Sequence, residues 1–332
     1  MTEMTKPFLI VIVGPTASGK TELSIEVAKK FNGEIISGDS MQVYQGMDIG
    51  TAKVTTEEME GIPHYMIDIL PPDASFSAYE FKTRAEKYIK DITGRGKVPI
   101  IAGGTGLYIQ SLLYNYAFED ESISDDKMKQ VKLKLTELEQ LNNNKLHEYL
   151  ASFDKESAKD IHPNNRKRVF RAIEYYLKTK KLLSSRKKVQ QFTENYDTLL
   201  IGIEMSRETL YLRINKRVDI MLGHGLFNEV KHLVEQGFEA SQSMQAIGYK
   251  ELVPVIKGNI SMESAVEKLK QHSRQYAKRQ LTWFKNKMNV HWLNKERMSL
   301  QMMLDEITTQ INKRSSNHDC KRKHPRPGTR EL

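Results

Sequence analysis

Cysteine is nearly missing from this chain: its 332 residues include only Cys320, which lies in a polar tail. A single thiol excludes an internal disulfide and a cysteine-rich metal site. Long apolar runs are missing too. No stretch approaches the roughly 20 residues of a membrane span, and residues 1–7 lack the features of a secretory leader. No membrane partner and a cytoplasmic location are therefore expected. No internal repeat is visible, which excludes a solenoid. Acid is scarce in two places. Residues 166–188 hold ten Lys or Arg against the single acid Glu174, and residues 270–287 hold no acid at all. With a net charge of +9 and pI near 9.2, these deficits point to a polyanionic partner. Hydrophobic residues at 39% and charged ones at 28% are ordinary for a globular enzyme, and the length suits one large and one small domain.

What is present is organised around residues 8–21. Residues 8–13 are apolar and rich in β-branched side chains, which reads as a strand buried on both faces. Gly14, Pro15, Thr16, Ala17, Ser18, Gly19, Lys20 and Thr21 follow as G-x-x-x-x-G-K-T. Glycines let the backbone curl its N–H groups inward, Lys20 reaches phosphate oxygens, and Thr21 offers a hydroxyl to magnesium. Leu23, Val27 and Phe31 share one face of a helix over 21–31, whose N-terminus favours an anion. The loop binds a di- or triphosphate, and its spacing does not say whose.

Next come a short second strand at 34–37 and Asp39, delivered to the carboxyl end of the sheet, where ligands bind in doubly wound folds. Residues 46–51 are glycine-punctuated and should wander across the surface nearby. A third strand is expected at 65–70. Ser77-x-x-Glu80 is a capping box for a helix carrying Tyr79, Ala85, Tyr88, Ile89 and Ile92 on one face. A fourth strand at 98–102 leads into Gly103-Gly104-Thr105, where Thr105 either caps the next helix or faces a ligand. After Glu119, Asp120, Glu121, Asp125 and Asp126, residues 115–195 read as a helical insert in which Lys167, Arg168 and Arg171 share a face. The sheet resumes at 198–204, and Ser206 caps a helix bearing Arg213 and Arg217. Residues 245–251 should open another helix. A long helix at 261–288 carries Arg274, Lys278, Arg279, Lys285 and Lys287, interleaved with Tyr276, Trp283 and Phe284, a pattern that suits backbone phosphates and stacked bases. A last edge strand is expected at 290–294, a helix at 299–311, and a basic, disordered tail at 313–332.

These elements predict an α/β fold: a phosphate-loop parallel sheet with helices on both faces and a helical insertion. The core spans 1–114 and 196–312. A nucleotide kinase or ATPase on this loop normally keeps an apolar strand ending in Asp for magnesium. Here the fourth strand ends in Gly103-Gly104, leaving Asp39 as the one carboxylate clearly brought to the phosphate site. Transfer of a group to RNA, a small-molecule kinase, and an RNA-binding ATPase all remain consistent with this pattern.

Six strings together resemble the bacterial tRNA isopentenyltransferases, or tRNA dimethylallyltransferases. They are Gly14 to Thr21, Asp39-Ser-Met-Gln-Val-Tyr44, Gly46-Met-Asp-Ile-Gly-Thr-Ala-Lys53, Gly103-Gly-Thr-Gly-Leu-Tyr108, Ala246-Ile-Gly-Tyr-Lys-Glu251 and Gln275-Tyr-Ala-Lys-Arg-Gln280. The resemblance implies transfer of a dimethylallyl group from dimethylallyl diphosphate to the exocyclic amine of the adenosine 3′ of the anticodon, position 37 of tRNA, with Mg2+. It implies Asp39 as general base beside Thr105 and Arg217. It also implies tRNA contacts from Asp39, Ser40, Met41, Gln42, Thr105, Lys167, Arg168, Arg171, Gly248, Tyr249, Lys250, Arg274 and Lys278, and a monomer is expected to act. Two departures stand out. Lys167 replaces a usual Gln, and Cys320 with His318 and His324 cannot build the zinc finger that some eukaryotic members carry.

Overall fold

A computed structural model describes residues 6–114, 125–185 and 195–323. Within it the chain divides into two compact units, one made of Met1–Leu113 with Glu194–Leu332 and the other of Tyr114–Thr193. Glu119, Asp120 and Glu121, and Arg186 to Lys188, lie outside the described residues.

The first unit is built on a six-stranded sheet. Its strands are β1 (Phe8–Val13), β2 (Gly33–Ser37), β3 (His64–Tyr65), β4 (Val98–Gly103), β5 (Asp197–Glu204) and β6 (His291–Asn294). They lie in the order β3-β2-β4-β1-β5-β6, and every pairing is parallel. β1 is central, with Val13 in register with Gly103 on one side and Gly202 on the other. That position explains its composition, since Leu9 to Val13 are all wholly buried. Ile10 and Ile12 pack with α1 (Lys20–Phe31) and with the C-terminal helix Leu300–Lys323 through Leu23, Val27, Leu304 and Ile307.

Between the strands run α2 (Thr56–Met59), α3 (Ala78–Gly94) and α4 (Gly106–Leu113). The Ser77–Glu80 capping box forms as expected. The buried face of α3 is Phe81, Ala85, Ile89 and Ile92, whereas Tyr79 is 49% exposed. Tyr79 stands six residues before Ala85 and so falls outside the helical stripe. The expected third strand at 65–70 is shorter, because Met66 and Asp68 adopt left-handed φ of 65° and 53° and leave the pleat. Leu70 returns to a single parallel bridge with Tyr44.

The second unit contains α5 (Asp125–Glu139), α6 (Asn143–Phe153), α7 (Lys155–Asp160) and α8 (Arg166–Thr179). Its core is Leu138, Leu146, Leu150, Val169, Ala172 and Ile173. Asp154 is buried and accepts from the backbone N–H groups of Ser157 and Ser184 at 3.0 Å each. The Arg166 guanidinium donates to the carbonyls of Leu141 and Glu139, closing the end of α5 over the start of α8. Arg166 is therefore structural. Lys167, Arg168 and Arg171 stay exposed on the side of α8 opposite Val169 and Ala172.

Back in the first unit are α9 (Arg207–Gly223), α10 (Leu226–Glu235), α11 (Val253–Ile256) and α12 (Met262–Lys287). The helix expected at 245–251 does not form. A one-turn 3-10 segment ends at Gln245, and the chain then turns through Gly248 at φ 105°, a conformation open to glycine. The C-terminal helix, α13, runs to Lys323 rather than stopping near 311, so the first part of the expected tail is helical. No Gly or Pro interrupts it before Pro325, and Arg314 ties it to Asp197 at 2.8 Å. Residues 324–332 lie outside the described residues.

Candidate active site

β1 delivers the chain into the loop 14–19, and Gly19, at φ 92°, precedes the first turn of α1. Ala17 sits in the left-handed region at φ 62°, which costs an ordinary residue about 1–2 kcal/mol. Its surroundings hold it there. Arg213 Nε of α9 donates to the Ala17 carbonyl at 2.8 Å, and the Ala17 side chain packs on Leu210, Ile214 and Ala277. Gln280 of α12 ties the loop from the other side. It is buried, accepts from Thr16 N at 2.9 Å and donates to the Gly104 carbonyl at 3.0 Å. Lys20 Nζ donates to the Pro15 carbonyl at 2.7 Å. Desolvation, reinforced by Arg217 and opposed by Asp39, lowers the Lys20 ammonium to about 8. The Ser18 hydroxyl is buried with no hydrogen-bond partner among the described residues.

Asp39 follows β2 at the carboxyl edge of the sheet. Its Oδ1 accepts from Met41 N at 2.8 Å, while its own N–H donates to Ser37 Oγ at 3.4 Å. One carboxylate oxygen therefore shapes the turn and the other carries no hydrogen bond from the described residues. Thr105 does not cap α4 with its side chain. Its carbonyl starts that helix, and its Oγ1 accepts from Ser40 N at 3.1 Å, joining the β4 loop to the Asp39 turn.

Asp39 opens into a cleft of about 300 Å³. Thr16, Ser40 and Met41 line it with Asp39, Arg217 and Ser273 face it from α9 and α12, and Gly248 and Lys250 border it. One wall is apolar, formed by Ile214, Val218, Met221, Ile247 and Leu269. Desolvation pulls the Arg217 guanidinium down against the opposing pull of Asp39. Tyr276 and Arg279 also line the cleft. Burial first, and Asp39 second, push the Tyr276 hydroxyl up to about 12, against hydrogen bonds with Thr105 and Gln280. Tyr276 thus stays a neutral phenol at neutral pH.

Gly103 settles why no acid ends β4. A Cβ there would lie 2.4 Å from the Gly38 carbonyl, and Gly38 N donates to the Ala102 carbonyl at 2.8 Å. The β2 and β4 loops touch backbone to backbone, which leaves no room for the carboxylate that an ATPase would place at this point. Gly103→Ala should cost about 1–3 kcal/mol, the range for overpacking, read as a lower midpoint in chemical denaturation.

Burial corrects the expected contacts at Tyr249 and Phe284, and other expected residues are tied to the protein itself. Tyr249 is wholly buried, and its hydroxyl donates to Glu229 at 2.6 Å, so it cannot touch tRNA directly. Gln42 commits its amide internally, accepting from Ser37 Oγ at 2.9 Å and donating to the carbonyls of Thr51 and Ala52. On α12, Phe284 is core and Trp283 packs against Gly106, so neither is an exposed stacking platform. Arg274 is held by Asn215 Oδ1 at 2.7 Å and Lys285 by Glu204 at 2.9 Å, while Lys278 and Arg279 remain exposed. Tyr276 and Gln280 lie inside the quoted string Gln275 to Gln280, where Tyr276 reads as an interleaved aromatic and Gln280 has no assigned role, and Glu229 carries no sequence signal.

Thr21 lies exposed in the first turn of α1. Its hydroxyl is a hard oxygen donor, which fits a magnesium ion held mainly by water and substrate phosphate. Among the described residues no three His, Cys, Asp or Glu side chains cluster as metal ligands. No helix of these residues is long and apolar enough to cross a membrane.

The model of the family described as IPP transferase matches residues 42–287. A tRNA dimethylallyltransferase of Staphylococcus epidermidis is 97% identical over all 332 residues, covering 100% of both chains. The crystal structure of a tRNA isopentenylpyrophosphate transferase from the same species covers 93% of this chain and 100% of its own, at 96% identity and a TM-score of 0.70. A eukaryotic dimethylallyltransferase, captured in crystallographic snapshots acting on tRNA, is 32% identical at a TM-score of 0.75, with 98% of this chain and 81% of that one covered. With its phosphate loop, its Asp39 cleft and these relatives, the chain belongs to the IPP transferase family, among the bacterial tRNA dimethylallyltransferases.

Proposed function

We propose that the chain transfers a dimethylallyl group from dimethylallyl diphosphate to the exocyclic amine of the adenosine 3′ of the anticodon, position 37 of tRNA, releasing diphosphate. The observation that carries this reading is a single cleft with a carboxylate, a desolvated Arg217, an edge of the phosphate loop and an apolar wall. A five-carbon allyl group suits the wall formed by Ile214, Val218 and Met221.

In the reaction the adenine nitrogen forms a bond to the allylic carbon while that carbon's bond to a diphosphate oxygen breaks. The amine is a weak nucleophile because its lone pair is conjugated with the ring. Asp39 accepts its proton as attack proceeds, using the oxygen that the turn leaves open. Departing negative charge falls to the loop N–H groups, Lys20 and Arg217. Thr21 would hold a magnesium ion, which would supply further positive charge to the departing diphosphate. The base has to leave its stack to enter so narrow a cleft. Nothing in this scheme needs a second chain, so a monomer in the cytoplasm is the expected form.

Purified protein with magnesium, dimethylallyl diphosphate and unmodified tRNA should give dimethylallyl-adenosine by nucleoside mass spectrometry. Turnover of ATP with no modified nucleoside would reject the reading in favour of a kinase or ATPase. The exposed cations of α8 supply the tRNA contacts of the helical unit. Arg168→Ala with Arg171→Ala should weaken tRNA binding by about 1–3 kcal/mol and flatten its salt dependence, since counterion release scales with the phosphates neutralised. Dimethylallyl diphosphate affinity should not change. An unchanged slope of log K against log salt would mean that this face is merely solvated.

A further inference from the structure

The loop from Gly46 to Lys53 borders the cleft through Gly50 and Thr51, yet it has no helix or strand of its own. Its conformation is imposed from outside. Three consecutive backbone N–H groups, those of Asp48, Ile49 and Gly50, donate to the carboxylate of Glu229 on α10, at 2.9, 2.8 and 3.1 Å. Successive amides turned toward one point make an anion-binding nest. Here the anion is a side chain distant in sequence. Tyr249 OH donates to the same carboxylate at 2.6 Å, and the Tyr249 ring lies so close to Gly50 that a Cβ there would meet it at 2.4 Å. Lys53 pins the far end of the loop, donating to the Tyr44 carbonyl at 2.9 Å and pairing with Asp48 and Asp68.

The held loop then reaches the catalytic turn. The carbonyls of Thr51 and Ala52 accept from Gln42 Nε2 at 3.4 and 3.3 Å, Gln42 Oε1 accepts from Ser37 Oγ, and Ser37 Oγ accepts from Asp39 N. We propose that Glu229 is a positioning residue for the transfer reaction: by filling the nest it fixes the loop, and through Gln42 and Ser37 it aims Asp39 at the adenine amine. This rests on the reading of Asp39 as the general base. Glu229 is not among the residues that line the cleft, and its carboxylate is filled by the loop amides and Tyr249, so it acts on the chemical step and not on diphosphate binding.

The test is a double-mutant cycle read by single-turnover transfer, with dimethylallyl diphosphate affinity and thermal melting measured on each protein. Glu229→Gln keeps the side-chain volume but turns an amide donor into a nest of donors. It should slow transfer by about 10- to 100-fold and leave diphosphate affinity within about twofold, by analogy with the cost of small misplacements of reacting groups. In the Asp39→Asn background the same substitution should cost less than about threefold, because the base it positions is gone. Equal losses in both backgrounds, or a parallel loss of diphosphate affinity, would overturn the positioning role while leaving Asp39 as base. A parental rate for Asp39→Asn would overturn both. Should Glu229→Gln fail to fold, Tyr249→Phe removes one donor to the carboxylate from the same cycle. It should slow transfer by about 3- to 10-fold, again only when Asp39 is present, and a parental rate there would reject the proposal.

Discussion

Asp39→Asn is expected to slow the transfer step by about 10² to 10⁴, the range that a positioned general base supplies. The substitution isolates that role because the two carboxylate oxygens have different work. Oδ1 accepts from Met41 N, a bond that an Asn carbonyl oxygen makes equally well, so the turn after β2 should persist and melting should change little. What disappears is a second oxygen able to take the proton. Asn also removes a negative charge beside Arg217, Lys20 and Tyr276, all of which respond to Asp39. Diphosphate affinity should therefore hold or rise slightly, since an anion competing for the same cations is gone. Single turnover with enzyme in excess over tRNA reads the chemical step directly. A stable variant that transfers at close to the parental rate would reduce Asp39 to a turn former.

Lys20→Met is expected to abolish useful turnover while stabilising the fold. Loss of a preorganised cation at the departing diphosphate should slow transfer by at least about 10² to 10³. The stability change follows from proton linkage. The Lys20 ammonium titrates near 8 in the folded chain, below its ordinary 10.5, mainly because it is desolvated. Between those values the unfolded chain binds more protons, so the Lys20 contribution to stability rises with pH through that window and is at its most unfavourable below 8. Methionine removes the desolvated charge and should raise the melting temperature at pH 7. Two further readouts separate the effects. Diphosphate affinity of the parent should decline as pH passes about 8, where Lys20 loses its proton, and that step should vanish in the variant. A lower melting temperature would show instead that the hydrogen bond from Lys20 to the Pro15 carbonyl outweighs the desolvation.

The phosphate loop, the central strand, the capped helices α3, α9 and α12, and the helical character of the insert were legible in the chain because each depends on neighbours in sequence. A glycine pattern, a run of β-branched residues or a Ser three positions before Glu acts over one or two turns of backbone. Asp39 was legible for a related reason, since the end of a parallel strand is where this class of fold gathers its ligands.

Tertiary structure alone decided the rest. Whether Tyr249 faces tRNA or the core depends on Glu229, and whether Thr105 caps a helix or braces Asp39 depends on the β2 turn at Ser40. Trp283 and Phe284 have the composition of a stacking surface, but Phe284 is wholly buried and Trp283 is half-buried against Gly106 at the start of α4. The third strand failed as a sequence prediction because Met66 and Asp68 turn left-handed where Asp68 meets Lys53, a contact between segments 15 residues apart. Periodicity reports which residues share a face of their own element. It carries no information on what that face will meet, and burial, desolvation of Lys20 and Arg217, and the filling of the Glu229 nest are all set by what the chain brings from elsewhere.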